Sequence, residues 1–167
     1  MLKSLVSSVG SDRLKKNKKS SPERASQAAR NLYVALTGLQ EASKDFVASL
    51  TAIAEGRDAQ GTLQFALMRT GQALVHVTKA VNEINPQLSI HAPEIAQSIE
   101  DGSHTRNMWM SYAEEALALQ DYTSQEQGTA AFREVAQGAQ QTLVEIEAAT
   151  ESLRRFLAEQ FTFKENF

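Results

Sequence analysis

Apolar residues recur along much of the chain at alternating spacings of four and three residues, in runs from Leu32 to Ile53 and from Leu63 to Ile84. This is the period of a seam along which one helix packs against another. Val, Ile and Thr never form an alternating run, so the pattern gives no support to strands. The sequence therefore predicts an all-α protein, an antiparallel bundle of three to four long helices with coiled-coil-like seams.

The two seams are out of phase by one residue, and Gly56 and Gly61 bracket the slip. Either the chain reverses there as a helical hairpin, or one long helix bends. The hairpin is favoured because residues 55–58 supply a glycine that can stop one helix and an aspartate that can cap the next. The first helix is predicted to begin at Ser21, with Pro22 at its first helical position.

Three further elements are predicted after the second seam. Asn85-Pro86 should end the second helix, because the residue before proline is disfavoured in the α region. Pro93 should start a short helix that Gly102 ends, and a further helix should run from His104 to Asp121 with these residues inward: Met108, Trp109, Tyr112, Ala116 and Leu119. The last helix is predicted from Ser124 to Phe163, with a buried stripe from Phe132 to Phe156. Whether it is continuous with the helix before it is left open.

Charge is distributed very unequally along the chain. Residues 1–30 carry eight Lys or Arg against two acids, and residues 31–167 carry nine against eighteen. We therefore divide the chain into a basic arm, residues 1–21, and an acidic helical body, residues 22–167. The arm needs a partner that the body does not share: anionic lipid, nucleic acid, an acidic protein surface or the body itself.

The arm has the composition of an interfacial helix followed by a polybasic anchor. Leu2, Leu5, Val6 and Val9 fall on one helical face, and a cationic cluster follows them: Arg13, Lys15, Lys16, Lys18 and Lys19. We expect these nine residues to bind an anionic membrane surface. The alternatives are a disordered tail and an arm that lies on its own body. Nucleic acid is disfavoured because no aromatic residue interleaves with the charges.

The sequence contains no recognisable catalytic, metal or cofactor site. Cysteine is absent, no Glu-x-x-His pair occurs, and no glycine-rich phosphate loop is present. His76 with Lys79 resembles the histidine phosphotransfer motif, but Ala80 stands where that family has glycine, so a histidine at a helix margin is the plainer interpretation. No apolar run approaches the ~18 residues of a membrane span. We expect a non-enzymatic, cytoplasmic protein that can attach peripherally to a membrane.

Two groups of aromatic residues are candidates for binding a protein partner. Trp109 lies between two methionines and could be either a binding hot spot or part of the core. Phe161, Phe163 and Phe167 follow at the C-terminus, where they could dock on the bundle or on a partner. Together with the helical seams, they suggest a homodimer or a complex with another protein.

Two segments resemble parts of BAR-domain proteins: Ala80-Val81-Asn82-Glu83-Ile84-Asn85 is similar to the end of the first long helix, and residues 112–122 to the start of the second. The resemblance implies an elongated helical dimer that binds and curves anionic membranes. Two features depart from that family, because the body is acidic and the chain is short. The expected function is a non-catalytic scaffold or adaptor on anionic membranes; the alternative is a protein-interaction module or assembly subunit whose arm is a tail.

Overall fold

The computed structural model describes residues 21–160, and all of its regular structure is helical. Four long helices follow one another: α1 Ser21–Ala54, α2 Gln60–His91, α3 Pro93–Leu119 and α4 Gln125–Gln160. A single 3₁₀ turn, Gln120–Tyr122, separates the last two. The described residues contain no strand, so the predicted all-α class is confirmed.

The chain reverses between α1 and α2, as the hairpin interpretation predicted. Gly56 adopts a φ of +82°, a left-handed conformation that glycine tolerates far better than other residues. The Arg69 guanidinium then donates to the Asp45 carboxylate at 2.7 Å, and the Thr70 hydroxyl to the Ala42 carbonyl at 3.3 Å. These contacts bring α2 back alongside α1 and exclude one bent helix.

The predicted end of α2 at Asn85-Pro86 is wrong, because the helix continues through the proline to His91. Pro86 lies on the exposed side of the helix. Its neighbours on the inner face, Ile84 and Leu88, are only 2% and 1% exposed. Burial of these side chains on both sides of Pro86 outweighs the local preference of the sequence, which is how tertiary packing commonly overrides helix propensity.

The predicted break at Gly102 is also wrong, since α3 is one helix that begins, as expected, with Pro93 at its first position. Gly102 is buried, and a Cβ there would lie 3.7 Å from Ile146 Cγ1 of α4. The glycine therefore lies where α3 and α4 approach each other, rather than at a helix end.

The inward face of α3 differs from the predicted one. Met108, Tyr112 and Leu119 are exposed, whereas Trp109 and Ala116 are half-buried. The residues that are buried are Ile99, Gly102, Arg106, Met110 and Ala113. Arg106, a charged residue, lies in the middle of this buried stripe. The apolar residues of α3 therefore predict the neighbouring face of the helix as the inward one.

The last helix follows the predicted pattern. The Ser124 hydroxyl accepts a hydrogen bond from the Gln127 amide at 3.3 Å, in the manner of an N-cap, so α4 is separate from α3. Its predicted stripe is buried from Phe132 to Leu153, and Phe156 is half-buried. The widening of the stripe by Leu143 and Leu157 is confirmed, while Phe161 lies outside the described residues.

Each long helix packs against two others: α1 and α3 both contact α2 and α4. The contact between α2 and α3 is the least extensive of the four. The apolar core forms two clusters, one around Phe46, Leu63 and Phe132, and the other around Leu36, Ile84 and Leu153. The first lies toward the α1–α2 turn, and the second toward the start of α1.

Replacing Pro86 by alanine should stabilise the protein. Proline inside a helix removes a backbone hydrogen bond and crowds the preceding turn. Here the helix nevertheless continues through Pro86 to His91. We expect Pro86→Ala to raise the free energy of unfolding in urea by about 1–3 kcal/mol. Lys79→Ala, at another exposed position of α2, is the control and should change it by less than about 0.5 kcal/mol. Destabilisation by Pro86→Ala would contradict the continuous helix.

Candidate functional site

A buried polar layer crosses the bundle where the two apolar clusters meet. Each helix contributes one residue that is at most 1% exposed: Ser43, Thr70, Arg106 and Thr142. Thr70 bonds to the carbonyl of Ala42, next to Ser43, and its hydroxyl also donates to the Ala66 carbonyl at 2.7 Å. The Thr142 hydroxyl donates to the Gly138 carbonyl of its own helix at 3.0 Å. The layer is therefore polar across all four helices.

Arg106 is the charged member of this layer and is fully buried. Its Nη2 donates to the Ala139 carbonyl at 3.0 Å, and its guanidinium carbon lies 5.3 Å from the centre of the Phe46 ring. Within the described part of the chain, neither Nε nor Nη1 has a hydrogen-bond partner, and the same is true of the Ser43 hydroxyl. The charge is thus held by one carbonyl and one aromatic face, with no carboxylate beside it.

Burial lowers the pKa of Arg106 to about 10 because the charged form loses its hydration. At neutral pH the guanidinium therefore remains protonated. A shift of this size corresponds to about 3 kcal/mol by which the charged side chain disfavours the folded state. The penalty applies at every pH below about 10 and is relieved only as the pH rises above that value, because the lowered pKa favours the neutral folded form.

Trp109, the predicted partner-binding residue, is half-buried between α3 and α4. A Cβ at Gly138 would overlap its indole ring, so glycine is needed for the two helices to approach at this level. The Tyr112 ring meets the indole edge-on, with centroids 5.5 Å apart. This placement matches the core interpretation of Trp109, and a role in partner binding stays a prediction.

The remaining predicted site residues lie outside the described residues. They are the arm residues Leu2, Leu5, Val6, Val9, Arg13, Lys15, Lys16, Lys18 and Lys19, and the C-terminal residues Phe161, Phe163 and Phe167. Their roles stay predictions.

The surface of the described body is most acidic around α3. Between Lys79 and Arg133 the sequence has eight carboxylates and one cation, the buried Arg106. All eight carboxylate residues are exposed: Glu83, Glu94, Glu100, Asp101, Glu114, Glu115, Asp121 and Glu126. This segment, which we call the acidic face, carries no exposed Lys or Arg to offset them. It is unsuited to an anionic membrane and suited to a cationic partner.

Two open grooves flank α2. The α1–α2 groove, of about 600 Å³, has small apolar residues along its floor and Arg69, His76 and Lys79 among its lining residues, with Glu83 the acidic one. The α2–α3 groove, of about 660 Å³, is lined by apolar side chains, by Gln64 and Gln72, and by one carboxylate, Glu114. Its apolar residues are Leu67, Met68, Val75, Met110 and Leu117.

Exposed apolar side chains are concentrated on α2. Phe65, Met68 and Val75 are 56%, 51% and 67% exposed, and their spacing places them on one side of the helix. This stripe was not predicted from the sequence, because the buried seam of the same helix dominates its pattern of apolar residues. Reading positions 65, 68, 72 and 75 as a second seam would have found it, since they too alternate three and four.

The described helices show no arrangement typical of metal chemistry or membrane crossing. No group of three His, Asp or Glu side chains among these residues is placed to hold a metal ion. None of the helices in this part of the chain is both long and apolar enough to cross a membrane. His76 is exposed at the α1–α2 groove, consistent with a histidine at a helix margin.

Comparison of the chain with protein-family models, curated proteins and solved structures gave no match. The resemblance to BAR-domain proteins therefore stays a prediction.

The close approach at Gly138 can be tested with a matched pair of glycines. Gly138→Ala should lower the free energy of unfolding by about 1–3 kcal/mol because the new methyl group displaces Trp109. Gly38→Ala is the control, since nothing lies within 4 Å of a Cβ there. It should instead raise stability by about 0.5–1 kcal/mol through helix propensity. Emission from the single tryptophan should shift only in Gly138→Ala; equal effects of both variants would contradict this packing.

Removing the buried charge should stabilise the fold. We expect Arg106→Met to raise the free energy of unfolding by about 1–4 kcal/mol, because methionine fills similar space without the desolvation cost. Arg133→Met, at an exposed position of α4, should change it by less than about 0.5 kcal/mol. A loss of stability in Arg106→Met would show that the guanidinium is well compensated in the core.

Proposed function

We propose that this chain is a non-catalytic helical scaffold or adaptor that attaches to anionic membrane surfaces through its arm, residues 1–21. In this proposal the body is an antiparallel bundle of four long helices with coiled-coil-like seams. The unequal distribution of charge along the chain is the observation that supports the proposal. The body supplies a rigid helical surface and the arm supplies the attachment.

The charge of the described body argues against direct membrane contact by the helices. Residues 21–160 contain ten Lys or Arg and eighteen Asp or Glu, whereas residues 1–20 contain six cations and one acid. An anionic surface attracts each nearby Lys or Arg by ~1 kcal/mol and repels carboxylates. Attraction would therefore come from the arm, with the acidic face turned away from the lipid.

The end of the bundle at which α1 begins carries a cluster of two arginines and one glutamate on α4. Leu32 of α1 and Leu153 of α4 share one apolar cluster, so the start of α1 lies near the end of α4. Arg154 binds the Glu151 carboxylate at 2.6 and 2.8 Å, and Arg155 approaches the same carboxylate at 3.2 Å. These arginines lower the pKa of Glu151 to about 2, so the cluster keeps its charges at neutral pH. Two arginines against one glutamate give this cluster a net positive charge.

A second candidate function is supported by the exposed stripe on α2. Phe65, Met68 and Val75 would be buried by an amphipathic partner helix or a second subunit. In that case the body alone would carry the function, as a protein-interaction module, and the arm would be dispensable.

Vesicle co-sedimentation of the full chain tests the proposed function. Changing Lys15, Lys16, Lys18 and Lys19 to Ala should abolish binding to anionic vesicles, and raising the salt concentration should weaken binding of the unchanged chain. The matched control changes four exposed body cations to Ala: Lys44, Arg57, Lys79 and Arg133. It alters net charge equally and should retain binding. Equal binding by both variants, or none by the unchanged chain, would refute membrane attachment and leave the interaction module.

A further inference from the structure

The α2–α3 groove combines exposed apolar surface with negative charge. Met68 and Val75 form part of its wall and are 51% and 67% exposed, and Met110 lies at its base beside Gly71. Glu114 lines the groove, and Glu100 is exposed on the same helix nearer the start of α3. A segment that fills this groove must therefore be apolar where it meets α2, and is favoured if it is also basic.

The arm of the same chain has this composition. Leu2, Leu5, Val6 and Val9 have the spacing of one apolar helical face, and the cationic cluster between Arg13 and Lys19 follows. The order of these features along the arm also matches the body, in which the exposed Glu100 lies nearer the start of α3 than the apolar groove does. Counting back from Ser21, the cations come first, and the apolar face comes last.

The length of the arm is sufficient to reach the groove. Thr70, at the level of the groove, bonds to the Ala42 carbonyl, so the groove lies 21 helical residues, or ~32 Å, along α1 from Ser21. The 12 residues from Val9 to Ser21 span up to ~40 Å when extended. Val75, the groove residue nearest the start of α1, lies five residues or ~8 Å closer than Thr70, so an axial distance of ~24 Å and a lateral step of one helix diameter, ~10 Å, are both covered.

Charge distinguishes this groove from its neighbour. The α1–α2 groove is lined by Lys79, by Arg69, which is paired with Asp45, and by one carboxylate, Glu83, so it offers a basic segment no net negative charge. The α2–α3 groove has no cationic lining residue and adjoins the acidic face. The least extensive of the four helix contacts is therefore also the one whose outer surface suits the arm.

We propose that the arm of each chain docks into its own α2–α3 groove, and that an anionic membrane and the groove compete for it. The inference rests on the proposed function only for the competition; the docking itself does not require a membrane. Docking covers the exposed side chains of Met68 and Val75 when no membrane is present. The arm is released where lipid offers both negative charge and an apolar layer in place of the groove.

Disulfide formation in the full chain tests the docking, and the absence of native cysteine makes the assay clean. The test variant carries Ser4→Cys and Gln64→Cys, which places one thiol in the arm and one in the groove. The control carries Ser4→Cys and Gln140→Cys, whose second thiol lies on the opposite side of the bundle, in a surface shared by α1 and α4. We expect the intramolecular disulfide to form at least ~10-fold faster in the test variant, at a rate independent of protein concentration.

Two results would overturn the docking. Equal rates in the two variants would show that the arm samples the surface without preference, and a disulfide formed mainly between chains would assign the groove to a second copy. Adding Met68→Ser and Val75→Ser, both at exposed positions, should slow the disulfide several-fold and strengthen vesicle binding several-fold. No change in either quantity would also count against the groove.

Anionic vesicles separate the two proposals. If they slow the disulfide of the test variant, the groove and the membrane compete for the arm, as proposed. If the disulfide still forms preferentially but the chain does not sediment with vesicles, the docking holds and the membrane function fails. Sedimentation with vesicles without preferential disulfide formation would support the membrane function and refute the docking.

Discussion

The burial of Arg106 between four helices is the constraint around which the bundle is organised. Its guanidinium lies over Phe46 of α1 and donates to the Ala139 carbonyl of α4, so one side chain of α3 ties three helices at one level. The hydroxyl residues Ser43, Thr70 and Thr142 complete a polar layer between two apolar clusters. The charge in this layer costs stability, because the guanidinium loses its hydration and gains one carbonyl partner in return.

The burial of Arg106 also affects the charge of the surface around α3. With Arg106 in the core, the stretch from Ala80 to Phe132 exposes no Lys or Arg beside the eight carboxylates of the acidic face. Basic residues outside the body are gathered in the arm. An anionic surface repels an acidic body, so the proposed attachment through the arm would leave the helical surfaces free for other contacts. The α2–α3 groove is one such surface, and the arm is suited to cover it.

Three of the four helices could be predicted from the sequence because their seams are apolar and regularly spaced. The stripes on α1, α2 and α4 follow the alternating spacing closely, and Gly56 marked the turn. The sequence failed where packing reverses a local preference: Pro86 continues a helix because Ile84 and Leu88 are buried around it, and Gly102 is a site of close helix packing. On α3 the error was one of phase, because the centre of the buried stripe is an arginine. Ile99, Arg106 and Ala113 recur at seven-residue intervals, a signal that only a pattern admitting a charged core residue could have used.

The most direct test of this account is to find which part of the chain meets the lipid. A fluorescent dye is attached to a single cysteine in the full chain, at Ser4→Cys in the arm or at Gln140→Cys on the body, and anionic vesicles carrying a lipid-attached quencher are added. We expect strong quenching of the dye in the arm and little quenching of the dye on the body. Quenching of the body dye with none in the arm would contradict it, because the acidic helices would then be the membrane-binding surface.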